Sequence, residues 1–507
     1  MNRPIERSES SDPVMSYRPG CDSTWLSALA WLLPVAAFAN AAAYIAYAGN
    51  PLVASDAWYF INAFLQKAIE SGPELQDFFV KRDALDHAQP LLKGLLLINA
   101  RWLGLDFVFE ALMGLLFAAA MLFFVMRTTR EDRAALQPQW LRALELGALG
   151  AALVTLNAGM VFNWSLVTLV YLSYLLAVIA AAAAWRALTL GRYRTLALVA
   201  LLIAFTQDDV GMIISAVLII AAMLAAAKQG QWRRGVVVAA VLLASESGYL
   251  IVSHLLFEQG LVGSAEGGGK SGNLLALWAH SGESLEIARI VLGSTLAHLN
   301  TLLHYSPESA VAWQGILAAC VAIAHAWFWW RAWRCDWNLP VFYAVVVMLL
   351  FYAMTAGVLY ARVPQHGINY LHEPRYVSFY LLSNVALVLM LMGQPFRATK
   401  RSFQIIAGAS LAALVAWQVP LSRFTWHDGH YLGAYYHTMA RQMLDLGTAV
   451  APQSCVPLLT VCDMPPAEQA NAIQFLKRHE LNIYSRAFVE RYRLERLVPS
   501  EPASSGE

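Results

Sequence analysis

What most constrains this chain is a repeated apolar length. About eleven stretches of roughly twenty residues, each long enough to cross a hydrocarbon core as a helix, follow one another with polar connectors between them. They fall near 25–48, 105–126, 143–161, 164–185, 195–207, 210–227, 235–257, 309–330, 339–361, 376–394 and 402–420. Backbone groups in lipid must be satisfied within each segment, so such stretches are helices, and the expected fold is an all-α polytopic membrane protein with about eleven transmembrane helices. The composition agrees: 58% hydrophobic, 14% charged, mean hydropathy +0.50. A net charge of +1 gives a nucleic-acid partner no electrostatic support.

Cations set the sides. Arg127, Arg130 and Arg133, then Arg186, Arg192 and Arg194, then Lys228, Arg233 and Arg234, then Arg331 and Arg334, then Arg397, Lys400 and Arg401 occupy every second connector. The positive-inside bias puts these connectors in the cytoplasm with Arg3, Arg7 and Arg18. The opening loop 49–104, the loop 258–308 and the tail from 424 then face outward. The run 25–48 is too long for a signal-peptide core and reads as an uncleaved anchor. The stretch 195–227 is read as two spans, because one span would split the Arg192/Arg194 and Arg233/Arg234 clusters between sides. The first covers only about 20 Å at 1.5 Å per residue, which leaves Asp208 and Asp209 either recessed below the outer surface or solvated at a hairpin tip.

Three outer regions are expected. In the opening loop, Ser55 caps a helix from Asp56 to Glu70 whose face of Ala57, Phe60, Ile61, Phe64, Leu65 and Ala68 lies along the interface until Gly72-Pro73 ends it. The loop 258–308 opens with a Gly/Ser stretch around Lys270, a mobile lid or a plain linker. The tail predicts helices near 431–446 and 466–480 and a strand at 481–485, a small α/β region needing a staple or outside support. Cys455 and Cys462 alone share the compartment where a disulfide persists.

Charged and aromatic residues concentrate in the opening loop, where Asp56 follows the first span and Asp86-His87 precedes Pro90-Leu-Leu-Lys93. A carboxylate beside the bilayer can act as general base toward a hydroxyl, bind a divalent cation, or merely cap a short helix. His372, Arg375 and Tyr376 stand at the outer end of the tenth span, where an arginine is placed for bidentate contact with a lipid phosphate or for interfacial anchoring. Lys81, Arg82 and Lys93 offer further phosphate contacts or snorkel to the interface. Glu246, deep in the seventh span, marks a function or a buried pairing.

Together the first span, the aspartate-bearing outer loop, the Asp86-His87 to Pro90-Leu-Leu segment, the loop after the seventh span and the outer tail resemble the C-type (GT-C) glycosyltransferase superfamily. The similarity is strongest to bacterial members that use polyprenyl-phosphate-linked sugars. The resemblance implies an inverting glycosyltransferase of the inner membrane, with the amino terminus cytoplasmic and the carboxyl terminus periplasmic. It would pass a sugar to a glycan, lipid or protein acceptor. It casts Asp56 as catalytic base with Asp86 and His87 beside it. It casts Arg375, Tyr376, His372, Lys81, Arg82, Lys93, Asp208, Asp209 and Lys270 as substrate contacts. The lone aspartate in Ser-Asp56-Ala departs from the paired acidic motif and leaves open a divalent cation, Mg or Mn, with Asp86 as second carboxylate. The implied division is a cytoplasmic segment 1–24, a transmembrane domain 25–423 and a periplasmic region 424–507. A proton-coupled transporter or lipid flippase using Glu246, Asp208 and Asp209, and a surface-glycan polymerase or ligase, are the rival readings.

Overall fold

The structure is a computed structural model that describes residues 24–80, 88–257, 277–446 and 455–494. Among them there is no β-strand. In chain order the helices are α1 (Thr24–Ala48), α2 (Ala57–Phe60), α3 (Gln66–Glu70), α4 (Pro90–Leu103), α5 (Phe107–Thr128), α6 (Arg130–Leu136), α7 (Gln139–Leu153), α8 (Met160–Asn163), α9 (Ser165–Thr168) and α10 (Val170–Leu190). Next come α11 (Tyr193–Gln207), α12 (Asp209–Gln229), α13 (Trp232–Phe257), α14 (Ser284–Ser294), α15 (Leu299–Tyr305), α16 (Ala310–Arg334), α17 (Leu339–His366), α18 (Val377–Met392), α19 (Arg401–Leu446), α20 (Pro466–Arg478) and α21 (Arg486–Arg491).

Among the described residues, nine helices are long and apolar enough to cross a membrane. α7 and α11, at 15 residues each, are shorter. Every apolar run expected from the sequence therefore has a helix, although α7 stops at Leu153 where a longer span was expected. Small residues let the helices approach: Ala180 to Ala184 of α10 are all buried, and a Cβ on Gly150 of α7 would come within 2.6 Å of the Pro34 ring on α1.

Hydrogen bonds between connectors sort into two sets, as helices alternating in direction require. At one end Gln137 donates to the carbonyls of Leu391, Met392 and Gln394, Lys228 to those of Ala332 and Trp333, and Arg234 to those of Leu188 and Thr189. At the other end Asn157 joins Ser294 and His298, Thr425 joins Leu156, and Ala88 joins Asp208. We call these the cation end and the loop end.

At the loop end the opening loop and the tail make one domain. Trp58, Ile61, Phe64, Leu65 and Ala68 are buried in the same core as Met439 and Met443 of α19, Ala472, Phe475 and Leu476 of α20, and Ile483 and Phe488. The face expected to lie along the interface is thus turned to the tail. Asn482 stitches the seam: its side-chain amide donates to Pro51 O at 2.9 Å and Leu105 O at 2.7 Å, and its N–H to Gly104 O at 2.8 Å. Arg491 and Tyr492 both bond the Asp106 carboxylate. The cysteines form the expected disulfide, Cys455–Cys462, with Cα atoms 6.5 Å apart.

Three local expectations are corrected. The strand at 481–485 is a 3-10 turn, Asn482–Tyr484, because the Asn482 amide spends its donors on loop carbonyls rather than on a neighbouring strand. The separate helix at 431–446 is the end of α19, which runs unbroken for 46 residues through Pro420. Ser55 does not cap the opening helix; its φ is +49°, the helix begins at Ala57, and a five-residue π segment, Ile61–Leu65, interrupts it.

Candidate functional site

Between α7 and α10 the chain leaves helical form, with only the short α8 and α9 before α10 resumes. Val154, Leu156, Asn157 and Ala158 are buried, and irregular backbone so placed must find its partners inside the protein. Asn157 accepts the His298 N–H at 2.7 Å and donates to Ser294 O at 2.8 Å, Thr168 donates to Val161 O, and Asn163 donates to the Tyr44 hydroxyl. This break delivers Trp164 to the loop end.

Arg375 lies on Trp164. It sits in the 3-10 turn Pro374–Tyr376 that opens α18, and its guanidinium carbon stands 5.4 Å from the Trp164 ring and 5.3 Å from each of Tyr370 and Tyr376. Nη2 donates to the Tyr370 hydroxyl. Three aromatic faces hold a planar cation where a flexible ammonium would be poorly held. Its Nε and the Trp164 Nε1 are buried and bond nothing among the described residues.

His372 follows the same pattern. Its carbonyl accepts from His298 at 2.6 Å, while its own Nδ1 is buried without a partner among the described residues. Burial first, and then the nearby Arg289 cation, push the His372 pKa down and keep it neutral. Arg289, on α14, pairs with Glu286 through Nε and Nη2, and its Nη1 is buried and bonds nothing among the described residues. Arg375, Trp164, His372 and Arg289 each hold one buried nitrogen with no partner among the described residues, and three of those nitrogens are fixed N–H donors. Unmade hydrogen bonds of that kind cost about 1–3 kcal/mol each, so natural proteins hold few of them.

Asp56 belongs to the opening loop, which touches the α8–α9 break. It is half-buried at the start of α2. The Asn50 N–H reaches Asn163 O, and Leu166 shares with Ala57, Phe60, Lys93 and Glu110 a cavity of about 10 Å³, room for one water. The break therefore touches both the opening loop, through Asn163 and Leu166, and the Arg375 cage, through Trp164.

Other expected contacts are occupied differently. Lys93 is buried, and its ammonium donates to the carbonyls of Asp77, Phe78 and Val80 with Phe64 alongside, which ties α4 to the loop before it. Asp208 is recessed, as one of the two readings had it; its carboxylate accepts the Ala88 N–H and the Tyr249 hydroxyl. Asp209, half-buried, opens α12. Glu246 is paired with Ser215 at 2.6 Å through one oxygen. Lys81, Arg82, Asp86, His87 and Lys270 lie outside the described residues. Among the described residues no three His, Cys, Asp or Glu side chains stand close enough to hold a metal ion.

No family model, curated protein or solved structure matches this chain. The site therefore rests on its own geometry, which adds Trp164, Tyr370, Arg289 and His298 to the residues the sequence offered. Tyr370 lies two residues before His372, beside residues that the sequence offered. The other three are separated from Arg375 by long stretches of chain, and nothing local to them signals the contact.

A second feature of this end is a groove of about 500 Å³ between α1, α7 and α19. Leu33, Ala36, Ala37, Ala151 and Val415 give it apolar walls, and Asn40, Ser422 and Arg423 give it a polar mouth.

Proposed function

We propose that this protein is an inverting glycosyltransferase that takes a sugar from a polyprenyl-phosphate donor and gives it to a hydroxyl acceptor at the outer face of the bacterial inner membrane. The observation that carries the reading is the Arg375 cage, where a stacked guanidinium and buried nitrogens without partners gather at the edge of the spans. A phosphate with its charge-assisted acceptors is the chemistry that such donors suit. The cations of the other end face the cytoplasm in this reading, by the positive-inside bias. The groove between α1, α7 and α19 offers apolar length for a lipid chain near the same end.

In the reaction, Arg375 holds the donor phosphate. Asp56 removes the proton from the acceptor hydroxyl as its oxygen attacks the anomeric carbon, the bond from that carbon to the phosphate oxygen breaks, and polyprenyl phosphate leaves with the charge Arg375 stabilises. A coupled transporter draws less support, since Asp208 is spent on Ala88 and Tyr249. Incubating the purified protein with polyprenyl-phosphate sugars should release polyprenyl phosphate, and Asp56→Asn should slow that release about 10²-fold with donor binding intact. Release from diphosphate donors alone would move the assignment to a polymerase or ligase. No release from either kind of donor, or an Asp56→Asn variant at full rate, would remove this reading.

A further inference from the structure

We infer that the loop closed by Cys455–Cys462 is the positioning element for Asp56, gripping the residue before it by both backbone polar groups. The inference rests on the reading of Asp56 as base. The Ser55 N–H donates to Leu458 O at 2.7 Å, and the Thr460 hydroxyl donates to Ser55 O at 2.7 Å. Both partners lie inside the eight residues that the disulfide closes.

Ser55 needs such a grip. Its φ of +49° is one that residues with a Cβ avoid, and the helix it precedes has no side-chain cap. Left alone, Ser55 would relax to negative φ, and the carboxylate one residue on would swing with it. The loop in turn has a fixed seat. The Leu458 N–H donates to the Tyr435 hydroxyl and the Val456 N–H to Gln442 Oε1, both on α19, while Leu459 and Val461 are buried in the shared core. The line of support runs from a membrane-crossing helix to the closed loop, to Ser55, to Asp56. The disulfide keeps Leu458 and Thr460 at the spacing that brackets one residue.

The test compares wild type, Cys455→Ala/Cys462→Ala, Thr460→Val and Thr460→Ser, each as the full chain in lipid nanodiscs. Amide exchange over residues 52–60 should quicken in the double variant and in Thr460→Val and stay at wild type in Thr460→Ser. The kcat for sugar transfer should fall about 10- to 100-fold in the first two with donor KM unchanged, the scale on which small misplacements act, and Thr460→Ser should restore it. Exchange over residues 466–478 reports whether the outer domain has come apart in the double variant. If it has, the Thr460 pair decides. Unchanged exchange at 52–60, or faster exchange with unchanged kcat, overturns the inference. A wild type with no transferase activity would sink the enzymatic reading, while the exchange arm would still decide whether the loop holds Ser55.

Discussion

Asp208 and Ala88 are separated by 120 residues of sequence and joined by a 2.8 Å hydrogen bond from the Ala88 N–H to the Asp208 carboxylate. The same carboxylate takes the Tyr249 hydroxyl. Asp208→Ala strands two buried donors, and a loss of about 2–3 kcal/mol is expected, visible as a lower midpoint of thermal unfolding. Asp208→Asn keeps an acceptor for Ala88 and should lose less. Equal midpoints for Asp208→Ala and wild type would show that the pair does not hold the opening loop.

Arg375→Lys keeps the charge and gives up the planar fork and its three aromatic faces. Donor affinity should drop by about tenfold, or roughly 1.4 kcal/mol, and Arg375→Ala should abolish transfer. Titration of a fluorescent polyprenyl-phosphate analogue reads the first, and product formation reads the second. An alanine variant as active as wild type would make the residue an interfacial anchor.

The seam between opening loop and tail should give way at Asn482, which is fully buried. Asn482→Ala takes from Leu105 O its side-chain donor and leaves Pro51 O with the longer Phe107 N–H bond at 3.4 Å, a penalty of about 1–3 kcal/mol. Hydrogen exchange should rise together in residues 52–70 and 466–491, because one core serves both. A rise confined to the tail would mean two independent units.

His298 sets an acid limit. Its Nδ1 accepts the Asn300 N–H at 3.2 Å, so Nε2 carries the proton it donates to His372 O, and the ring is neutral. Burial lowers its pKa to about 4. The unfolded chain takes its proton near the ordinary value of about 6.5, so this contribution to stability is complete above that pH. It falls as pH drops toward 4, by about 3 kcal/mol in all. His372 adds in the same direction. His298→Gln should flatten the pH dependence of the unfolding midpoint between pH 4 and 6.5, and an unchanged slope would assign it to other groups.

In the proposed assignment sidedness comes from the cations, which is open to a direct test. A reporter that matures only outside the cytoplasm should be active when fused after Glu490 and silent after Arg194. The opposite pattern would place the Arg375 cage in the cytoplasm and end the proposed assignment.

How much of this was legible in the sequence depends on how far each feature reaches. A span satisfies its own backbone within about twenty residues, so even the short α11 was readable from its apolar run and flanking arginines. The carboxyl-terminal strand was misread because Leu481 and Ile483 are apolar in either conformation, and the deciding bonds go to Pro51, Gly104 and Leu105. α19 was divided because Pro420 usually ends a helix, yet helices packed among others carry prolines through. Arg375 announced itself by its place beside a span, but its cage closes with Trp164, whose position depends on the irregular break after α7.

One core assembled from both ends of the chain also has a timetable. Asp106 waits 386 residues for the Tyr492 hydroxyl that joins the opening loop to the tail. At synthesis rates of about 5–20 residues per second, that interval is roughly 20–80 seconds, during which Trp58, Phe64 and Leu65 have emerged without the residues that will cover them. The opening loop is made early and finished last, and a chain cut short before α20 would lack Ala472, Phe475, Leu476, Ile483 and Phe488 from its core.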